Sequence, residues 1–544
     1  MNFALLSAFG TKLTSCFSAE YLFVFLPVFL IVYGIVPGKC RRGVLIAASC
    51  IFYCLVSGKL IVYLLLTVFS VHWFGIWLDR LQTQMKEHTA SLPKEDRKTV
   101  RKSYAAKRRA VVTLAVVLQL GLLLTLKYTG FFLGNLNTFL TALQIPIQCN
   151  IPTFLVPLGI SFFSLQAVSY LSDVYHCSIP ADDNLARLLL FIGFFPQITE
   201  GPICRYRETA DALWNAGPIR YGNLTLGLTR IAWGMMKKIV AADRLDPLIR
   251  NVFTDFTEYD GGVIALAAVL YTVQLYMDFS GAMDACLGTA QIIGVVLPEN
   301  FRRPFFSKTI SEFWTRWHIT LGAFFRDYVF YPVSVAGPMK KLTILARKKL
   351  GNRYGPLITG GTALFCVWLC NGLWHGVGWS FIFFGLYHFA LIYGGNLLSP
   401  LTARIGGWLR IDPERFIFRW LRIIRTSLLV VTGELFFRAH GLRAGMQMFR
   451  QMVTRFSFGS LIPEAELLSK LGVDVQDLLI VGVTVLLVFV IGLLREKGVD
   501  IRGELFRKPT AIRWTVFYAL IMYIVIFGAY GEGYAPVDPL YAQY

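Results

Sequence analysis

The chain has 544 residues, of which 55% are hydrophobic and 16% are charged, and its mean hydropathy is +0.56. This composition excludes an ordinary soluble globular protein, in which about a quarter of the residues are charged, and indicates an integral membrane protein. The formal net charge is +20. The basic residues are concentrated between apolar segments, which is typical of cytoplasmic loops, so no nucleic-acid partner is predicted.

Fourteen apolar runs follow one another along the chain and predict an all-α polytopic membrane protein. They lack the alternation of barrel strands, and most approach the length of a membrane-spanning helix. The runs near 185–196 and 285–297 are short enough to be half-spans, which the rest of the protein would have to shield. About eleven to thirteen crossings are therefore expected. The runs lie near residues 21–37, 44–57, 60–78, 110–127, 151–171, 185–196, 224–242, 262–280, 285–297, 357–374, 377–397, 421–437, 477–494 and 512–530.

Basic clusters between the runs predict the orientation of the chain. Residues 80–109 include ten Lys or Arg and three acidic residues, and residues 339–353 contain basic residues without an acid. Because such clusters remain on the cytoplasmic side, both segments are predicted to be cytoplasmic. The cluster from Lys39 to Arg42 precedes residues 80–109 by two runs. An even number of crossings between the two clusters agrees with this orientation and places the N-terminus outside. The membrane is predicted to be the plasma (inner) membrane.

Two carboxylates, Asp278 and Asp284, lie at the end of the run 262–280. Carboxylates at membrane depth need partners. Two interpretations remain open at this stage. The pair is either a structural one with nearby arginines such as Arg302 or Arg303, or it supports a catalytic histidine.

Two histidines lie in unusual surroundings. His318 belongs to residues 311–331, where charged and aromatic residues alternate too closely for a lipid-facing span, which predicts an amphipathic or protein-buried helix near the active centre. His375 lies between two apolar runs and precedes Gly376, which permits close approach of a backbone or substrate. Ionisable rings at membrane depth are costly, so the pair indicates proton-transfer chemistry. The alternative is that each is a satisfied buried histidine that holds helices together.

No metal site is predicted. The ten cysteines include no Cys-x-x-Cys pattern, and His388, thirteen residues after His375, has neither a nearby carboxylate nor a histidine four residues away. The chain also has no phosphate-binding loop, dinucleotide fingerprint or nucleophile elbow. Any acyl transfer would therefore use a substrate hydroxyl that a histidine activates.

Residues 150–440 contain short motifs in a defined order: Val156–Phe163, Tyr170–Tyr175, Phe195–Gln197, Gly201–Tyr206, Asp278–Gly281, Asn300–Phe305, Glu312–Leu321, Arg326–Tyr328, Trp374–Gly376 and Phe436–Ala439. As an ordered set they resemble the membrane-bound O-acyltransferase family. The branch they resemble most contains alginate O-acetyltransferases and the teichoic-acid D-alanylation membrane protein. The sequence departs from the residues common in the family at Thr315, Gly322, residues 282–283 and residues 333–334. These departures bear on the identity of the substrate more than on the class of reaction.

The resemblance implies one integral membrane domain over residues 1–544. Its core would cover about 150–440, and the C-terminal spans and tail 441–544. The implied fold is a ring of tilted helices around a central funnel, in which a cytoplasmic acyl donor meets an acceptor from outside. His375 matches the family's catalytic histidine, and His318 matches its second essential histidine.

The predicted function is that of an O-acyltransferase. It would pass a small acyl group, acetyl, from a cytoplasmic thioester toward hydroxyls of an extracytoplasmic polysaccharide. His375 would act as general base, and His318 would orient the donor or stabilise the developing oxyanion. The donor would be acetyl-CoA or an acyl carrier protein, with no bound cofactor. Contacts to substrate are predicted for Asp278, Trp374, Trp317 and Arg316.

Three alternatives remain. One is D-alanyl transfer to teichoic acid. The second is a secondary transporter with a His/Asp relay, against which the lack of an internal repeat argues. The third is a structural scaffold for an envelope complex.

Partners are expected on both sides of the membrane. By resemblance, an SGNH-type acyltransferase would bind on the outer face, and an acyl carrier is expected on the cytoplasmic face. The tail Leu540–Tyr544 suggests two roles for Tyr541. Tyrosine is common in interfacial aromatic anchors. By resemblance to aromatic tails in the D-alanylation system, Tyr541 would instead carry the acyl group transiently.

Overall fold

The computed structural model describes residues 17–410, 412–462 and 464–530. It is 80% helical, and the described residues include no strand. The predicted all-α fold class is therefore confirmed. Within the described part, the chain packs as two compact units.

Seven helical stretches within the described residues are long and apolar enough to cross a membrane. The first, Gly38–Ala90, includes two helices that are joined by the short turn Gly58–Leu60, and φ at Gly58 is +56°. Other apolar helices are shorter, such as the stretch Tyr21–Ile35. The sequence-based count of eleven to thirteen crossings therefore stays a prediction. The seven stretches are Gly38–Ala90, Lys94–Ala142, Gly261–Ile292, Gly337–His375, Trp379–Trp408, Val475–Glu496 and Thr510–Phe527.

The first unit comprises the described residues up to Leu228 together with Ala285–Pro298. In it, α3 packs against α4, α5 and α6, and α2 packs against α6. Its helices are α1 (Leu26–Ile35), α2 (Arg41–Ser57), α3 (Ile61–Ala90), α4 (Lys94–Ala142), α5 (Ile160–Tyr175), α6 (Leu185–Gly193), α7 (Tyr206–Trp214) and the start of α8 (Tyr221–Met235). Helix α5 begins after Gly159, where φ is +76° and a Cβ would come within 2.1 Å of the Ile198 carbonyl oxygen, so only glycine fits.

The second unit comprises Thr229–Asp284 and the described residues from Glu299 onward. Helix α14 packs against α15, and α15 against α16, while α11 contacts both α15 and α16. Its helices after α8 are α9 (Asp243–Thr254), most of α10 (Gly261–Ile292), α11 (Ile310–Arg316), α12 (Ile319–Phe325), α13 (Tyr331–Val335), α14 (Gly337–His375), α15 (Trp379–Trp408), α16 (Phe416–Arg438), α17 (Leu442–Thr454), α18 (Ala465–Lys470), α19 (Val475–Glu496), α20 (Ile501–Arg507) and α21 (Thr510–Phe527). Short π-helical segments cover Tyr21–Phe25, Met236–Ala242 and Arg326–Phe330.

The structure corrects two predicted elements. The run 285–297 was predicted to be a possible half-span, but residues 285–292 continue α10. The helix passes through the polar Asp284 without a break. Residues 311–331 are not one helix. The chain breaks between α11 and α12 at His318, whose φ of 45° is left-handed and cannot continue a right-handed helix.

The basic segments are largely helical rather than looped. Helix α3 continues to Ala90, and α4 begins at Lys94. Glu95 and Asp96 lie in the first turn of α4, where their negative charges interact favourably with the positive end of the helix dipole. The segment 339–353 forms the first part of α14, which is interrupted at Gly351, where φ is +75°. The C-terminal part of α14 then leads to His375.

Candidate active site

His318 is buried at the break between α11 and α12, with 2% of its surface exposed. The break directs the ring into an aromatic pocket. The His318 ring lies 4.8 Å from the ring of Phe279 and 5.6 Å from that of Trp374, measured between centroids. The segment around Asn300 fixes the break, because the backbone carbonyl of Asn300 accepts the backbone N–H of Ile319 at 3.0 Å.

The side chain of Asn300 determines which His318 nitrogen carries the proton. Asn300 Oδ1 accepts the backbone N–H of Thr320 at 3.0 Å and the Thr320 hydroxyl at 2.9 Å. A backbone N–H only donates, so the amide atom at this position must be oxygen. The same oxygen lies 3.2 Å from His318 Nδ1. Nδ1 is therefore the protonated nitrogen, and Nε2 of the neutral ring carries the lone pair.

His375 is the last residue of α14 and is 4% exposed. Its ring lies 6.5 Å from the ring of His318 and 5.3 Å from that of Phe437. The structure thus brings the two predicted histidines into one buried site of the second unit. The absence of a side chain at Gly376 leaves room for an aromatic ring. A Cβ there would come within 2.3 Å of the Phe381 ring, so the close neighbour is a side chain of α15.

A second aromatic group lies beside His375 and was missed by sequence reasoning. The indole N–H of Trp314 donates to His388 Nδ1 at 3.2 Å, which places the proton of neutral His388 on Nε2. The His388 ring also stacks on Trp368, with centroids 5.4 Å apart. Phe384 connects this group to the site, since its ring lies 4.7 Å from His388 and 6.0 Å from His375. His388 therefore holds α11, α14 and α15 together.

The two carboxylates of α10 form buried ion pairs. Asp278 pairs with Lys238 at 2.8 Å, and Lys238 also reaches Asp243 at 2.7 Å. Asp284 pairs with Arg230 at 2.8 Å and with Lys237 at 2.7 Å. The sequence interpretation named arginines after residue 300 as partners and missed these. A signal was present, because adjacent lysines inside an apolar run require acidic partners.

The other predicted contact residues lie around this site in different settings. Trp374 is 7% exposed and faces His318. Trp317 is buried against Phe313 and Phe301, with centroids 5.4 and 5.0 Å apart. Arg316 forms ion pairs with Glu312 at 2.7 Å and Glu496 at 3.1 Å.

Tyr541 lies outside the described residues. In the part of the chain that the structure describes, no group of three or more His, Cys, Asp or Glu side chains could hold a metal ion.

A helical membrane domain with two buried histidines facing each other is the arrangement expected of an enzyme that moves a proton within the membrane. Comparison with known proteins identifies the class. Residues 178–346 match the family model described as MBOAT, membrane-bound O-acyltransferase family. The chain is 32% identical over 445 residues to a probable alginate O-acetylase AlgI of Azotobacter vinelandii, covering 81% of this chain and 78% of that protein.

Two further relatives are also named as enzymes that transfer small acyl groups. A peptidoglycan O-acetyltransferase of Helicobacter pylori is 29% identical over 465 residues, which cover 80% of this chain and 78% of the relative. A teichoic acid D-alanyltransferase of Bacillus subtilis is 31% identical over 254 residues, which cover 45% of this chain and 60% of the relative. The protein is a multi-pass membrane O-acyltransferase. It belongs to the membrane-bound O-acyltransferase family.

Proposed function

We propose that the protein transfers a small acyl group, acetyl, from a cytoplasmic thioester to hydroxyl groups of an extracytoplasmic polysaccharide, in the plasma membrane. The observation that carries the proposal is the buried pair His318 and His375, whose rings lie 6.5 Å apart. The relatives that cover most of the chain are named for acetyl transfer to alginate or peptidoglycan. The D-alanyltransferase of Bacillus subtilis covers only 45% of the chain, which favours acetyl over D-alanyl.

In the proposed reaction, the acceptor oxygen attacks the thioester carbonyl carbon. The new C–O bond forms, the C–S bond breaks, and the thiolate leaves. His375 takes the hydroxyl proton during the attack and then returns it to the thiolate, so the step needs no further reactant. Such general-base assistance accelerates a reaction by roughly 10²–10⁴-fold.

The tautomer of His318 defines its proposed role. A neutral ring with the proton on Nδ1 accepts a hydrogen bond at Nε2 and donates none there. It therefore suits orienting the attacking hydroxyl or the donor rather than stabilising an oxyanion. We propose that Trp374 lines the substrate path between the two histidines. Asp278, Trp317 and Arg316 would contribute through the packing and ion pairs that hold the walls of the site.

The test uses the purified protein in lipid nanodiscs with labelled acetyl-CoA, labelled acetyl carrier protein and D-alanyl carrier protein. Consumption of an acetyl thioester, with label transferred to an added oligosaccharide or partner, supports the proposal. Consumption of the D-alanyl carrier alone would replace acetyl by D-alanyl. Failure to consume any thioester would contradict the enzymatic function.

We further propose a partner of the SGNH acyltransferase type on the outer face. The described residues consist mostly of membrane helices, and they include no separate soluble domain that could grip a polymer. Adding such a partner to the nanodisc assay is expected to raise polymer acylation without raising thioester affinity. A polymer acylated normally in cells that lack every such protein would contradict this proposal.

The proposed orientation makes a direct prediction. Cysteines introduced in a cysteine-free background at Ser91, between α3 and α4, and at Asn352, beside the break in α14, should resist membrane-impermeant labels in intact cells. Both positions lie within segments rich in Lys and Arg, which remain cytoplasmic. Both should be labelled after the membrane is permeabilised. Labelling of either position from outside would contradict the orientation.

Tyr541 is proposed to be the first acceptor: its phenol oxygen attacks the thioester carbonyl while His375 takes the proton, the thiolate leaves, and the resulting acyl-tyrosine passes the acyl group to a polysaccharide hydroxyl. Its phenol has an ordinary pKa of about 10 and needs a base, but its ester is then a good acyl donor. Tyr541→Phe keeps the ring and removes the nucleophile, so polymer acylation should be lost while thioester binding is retained. Tyr544→Phe is the matched control. Unchanged acylation in Tyr541→Phe would leave Tyr541 as an aromatic anchor.

A further inference from the structure

The imidazole of His388, which is fully buried, is held on three sides by three other helices. Trp314 of α11 donates its indole N–H to Nδ1 at 3.2 Å. Trp368 of α14 stacks on the ring, with centroids 5.4 Å apart and planes inclined by 29°. On the third side, a Cβ on Gly433 of α16 would come within 2.7 Å of Nε2, so the ring lies directly against that backbone. The His388 ring therefore has little room to move.

The hydrogen bond between Trp314 and His388 is informative because apolar packing does not require it. Burying an imidazole among aromatic rings costs free energy unless its polar atoms are hydrogen-bonded. A phenyl ring would pack in the same place without that cost. A hydrogen bond differs from apolar packing because it fixes both the distance and the direction between two groups. The pair therefore sets how α11 and α15 lie relative to each other.

Phe384 connects this pair to the histidine site. Its ring lies 4.7 Å from the ring of His388 and 6.0 Å from that of Trp314. The same ring lies 6.0 Å from the ring of His375 and 5.0 Å from that of Phe437. All four are edge-on contacts, which aromatic rings favour. A displacement of His388 would therefore displace Phe384, and with it a ring against which His375 packs.

The position of His375 depends on its aromatic neighbours. Its ring lies 4.9 Å from that of Trp374, 5.3 Å from that of Phe437 and 6.0 Å from that of Phe384. A general base must lie within hydrogen-bond reach of the proton that it takes. A misplacement of about 1 Å can cost roughly 10²-fold in rate. Small shifts of the rings behind His375 should therefore change kcat.

We propose that Trp314 and His388 are positioning residues for acyl transfer and hold His375 where it can take the hydroxyl proton. They act through Phe384, whose ring contacts both of them and His375. His388 is not itself a base in this arrangement, because the indole N–H occupies the lone pair of Nδ1 and the proton of the neutral ring is on Nε2. This inference rests on the proposed function and extends it to the side chains behind the histidine pair.

Trp314→Phe keeps an aromatic ring and removes the donor. The value of kcat for transfer to a polysaccharide hydroxyl should fall about tenfold or more, because His375 is displaced. KM for the thioester should stay unchanged, since donor binding does not use this pair. Tyr387→Phe is the matched control, because the Tyr387 hydroxyl donates to the Leu429 carbonyl at 2.9 Å and joins α15 to α16 beside His388. That variant should unfold at a lower temperature without a loss of kcat.

Two replacements of His388 separate the hydrogen bond from the volume of the side chain. Asparagine and leucine are similar in size, but only asparagine has an acceptor at the δ position. His388→Asn should therefore retain a higher kcat than His388→Leu. Equal losses in these two variants, or an unchanged kcat in Trp314→Phe, would overturn the proposal.

Hydroxylamine as the acceptor separates a displaced base from a damaged fold. This neutral amine attacks a thioester before it loses a proton, so its acylation does not need His375 as a base. In Trp314→Phe, the enzyme-dependent rate with hydroxylamine should stay close to that of the wild type while transfer to the polysaccharide falls. A parallel fall with both acceptors would reject the positioning role and leave the proposed function intact. Failure of the wild type to consume a thioester with either acceptor would reject the proposed function and this inference together.

Discussion

Replacing His375 by alanine is expected to abolish acyl transfer. The variant would lose the base that takes the hydroxyl proton, a contribution of roughly 10²–10⁴-fold. The protein should remain folded, because alanine is a strong helix former at the end of α14 and no buried charge loses its partner. Transfer of label from acetyl-CoA measures the loss, and thermal unfolding in nanodiscs measures folding.

His440→Ala is the control for this prediction. His440 is exposed and lies in the segment between α16 and α17. Its loss should leave the transfer rate close to that of the wild type. A His375→Ala variant that transfers acetyl at a normal rate would remove His375 from the mechanism.

His318→Ala should also impair transfer strongly, by about 10²-fold, with more residual activity than His375→Ala, because His318 orients the reacting groups and does not take the proton. Alanine carries a difficulty at this position, since φ is 45° and the left-handed region is costly for most side chains. His318→Asn tolerates that conformation better. We therefore expect His318→Asn to unfold at a higher temperature than His318→Ala while it transfers acetyl as poorly.

Asn300→Ala tests the tautomer separately. Without Oδ1, His318 Nδ1 is no longer held as the donor, and the Thr320 backbone N–H also loses its acceptor. The transfer rate should fall to a value between those of the wild type and His318→Asn, with little change in KM. If the His318 and His375 variants both retain near-normal rates, the enzymatic interpretation of the pair is wrong.

Much of the architecture follows directly from the sequence. The apolar runs determine that the chain is helical and membrane-embedded, because backbone polar groups in hydrocarbon must bond within their own segment. The ordered motifs determine the family. His318 and His375 stood out because ionisable rings are rare where apolar or aromatic residues dominate.

The contacts between these elements needed the tertiary structure. The pairing of Asp278 with Lys238, and of Asp284 with Arg230 and Lys237, depends on how α10 faces α8 and the π-helical segment Met236–Ala242. Sequence spacing does not report which helices face each other. The left-handed break at His318 was also hidden, because local propensity describes neighbours along the chain. The break is fixed by hydrogen bonds that Asn300, eighteen residues earlier, accepts from His318 and Ile319.

The sequence by itself thus determined the fold class and the family, and it singled out His318 and His375 as candidate site residues. The tertiary structure decided that their rings lie 6.5 Å apart, and that Asn300 leaves the lone pair of His318 on Nε2. The physical reason is the same in each case. Hydrophobicity is a property of segments and can be read along the chain, whereas hydrogen-bond direction and charge balance are set by atoms that are distant in sequence.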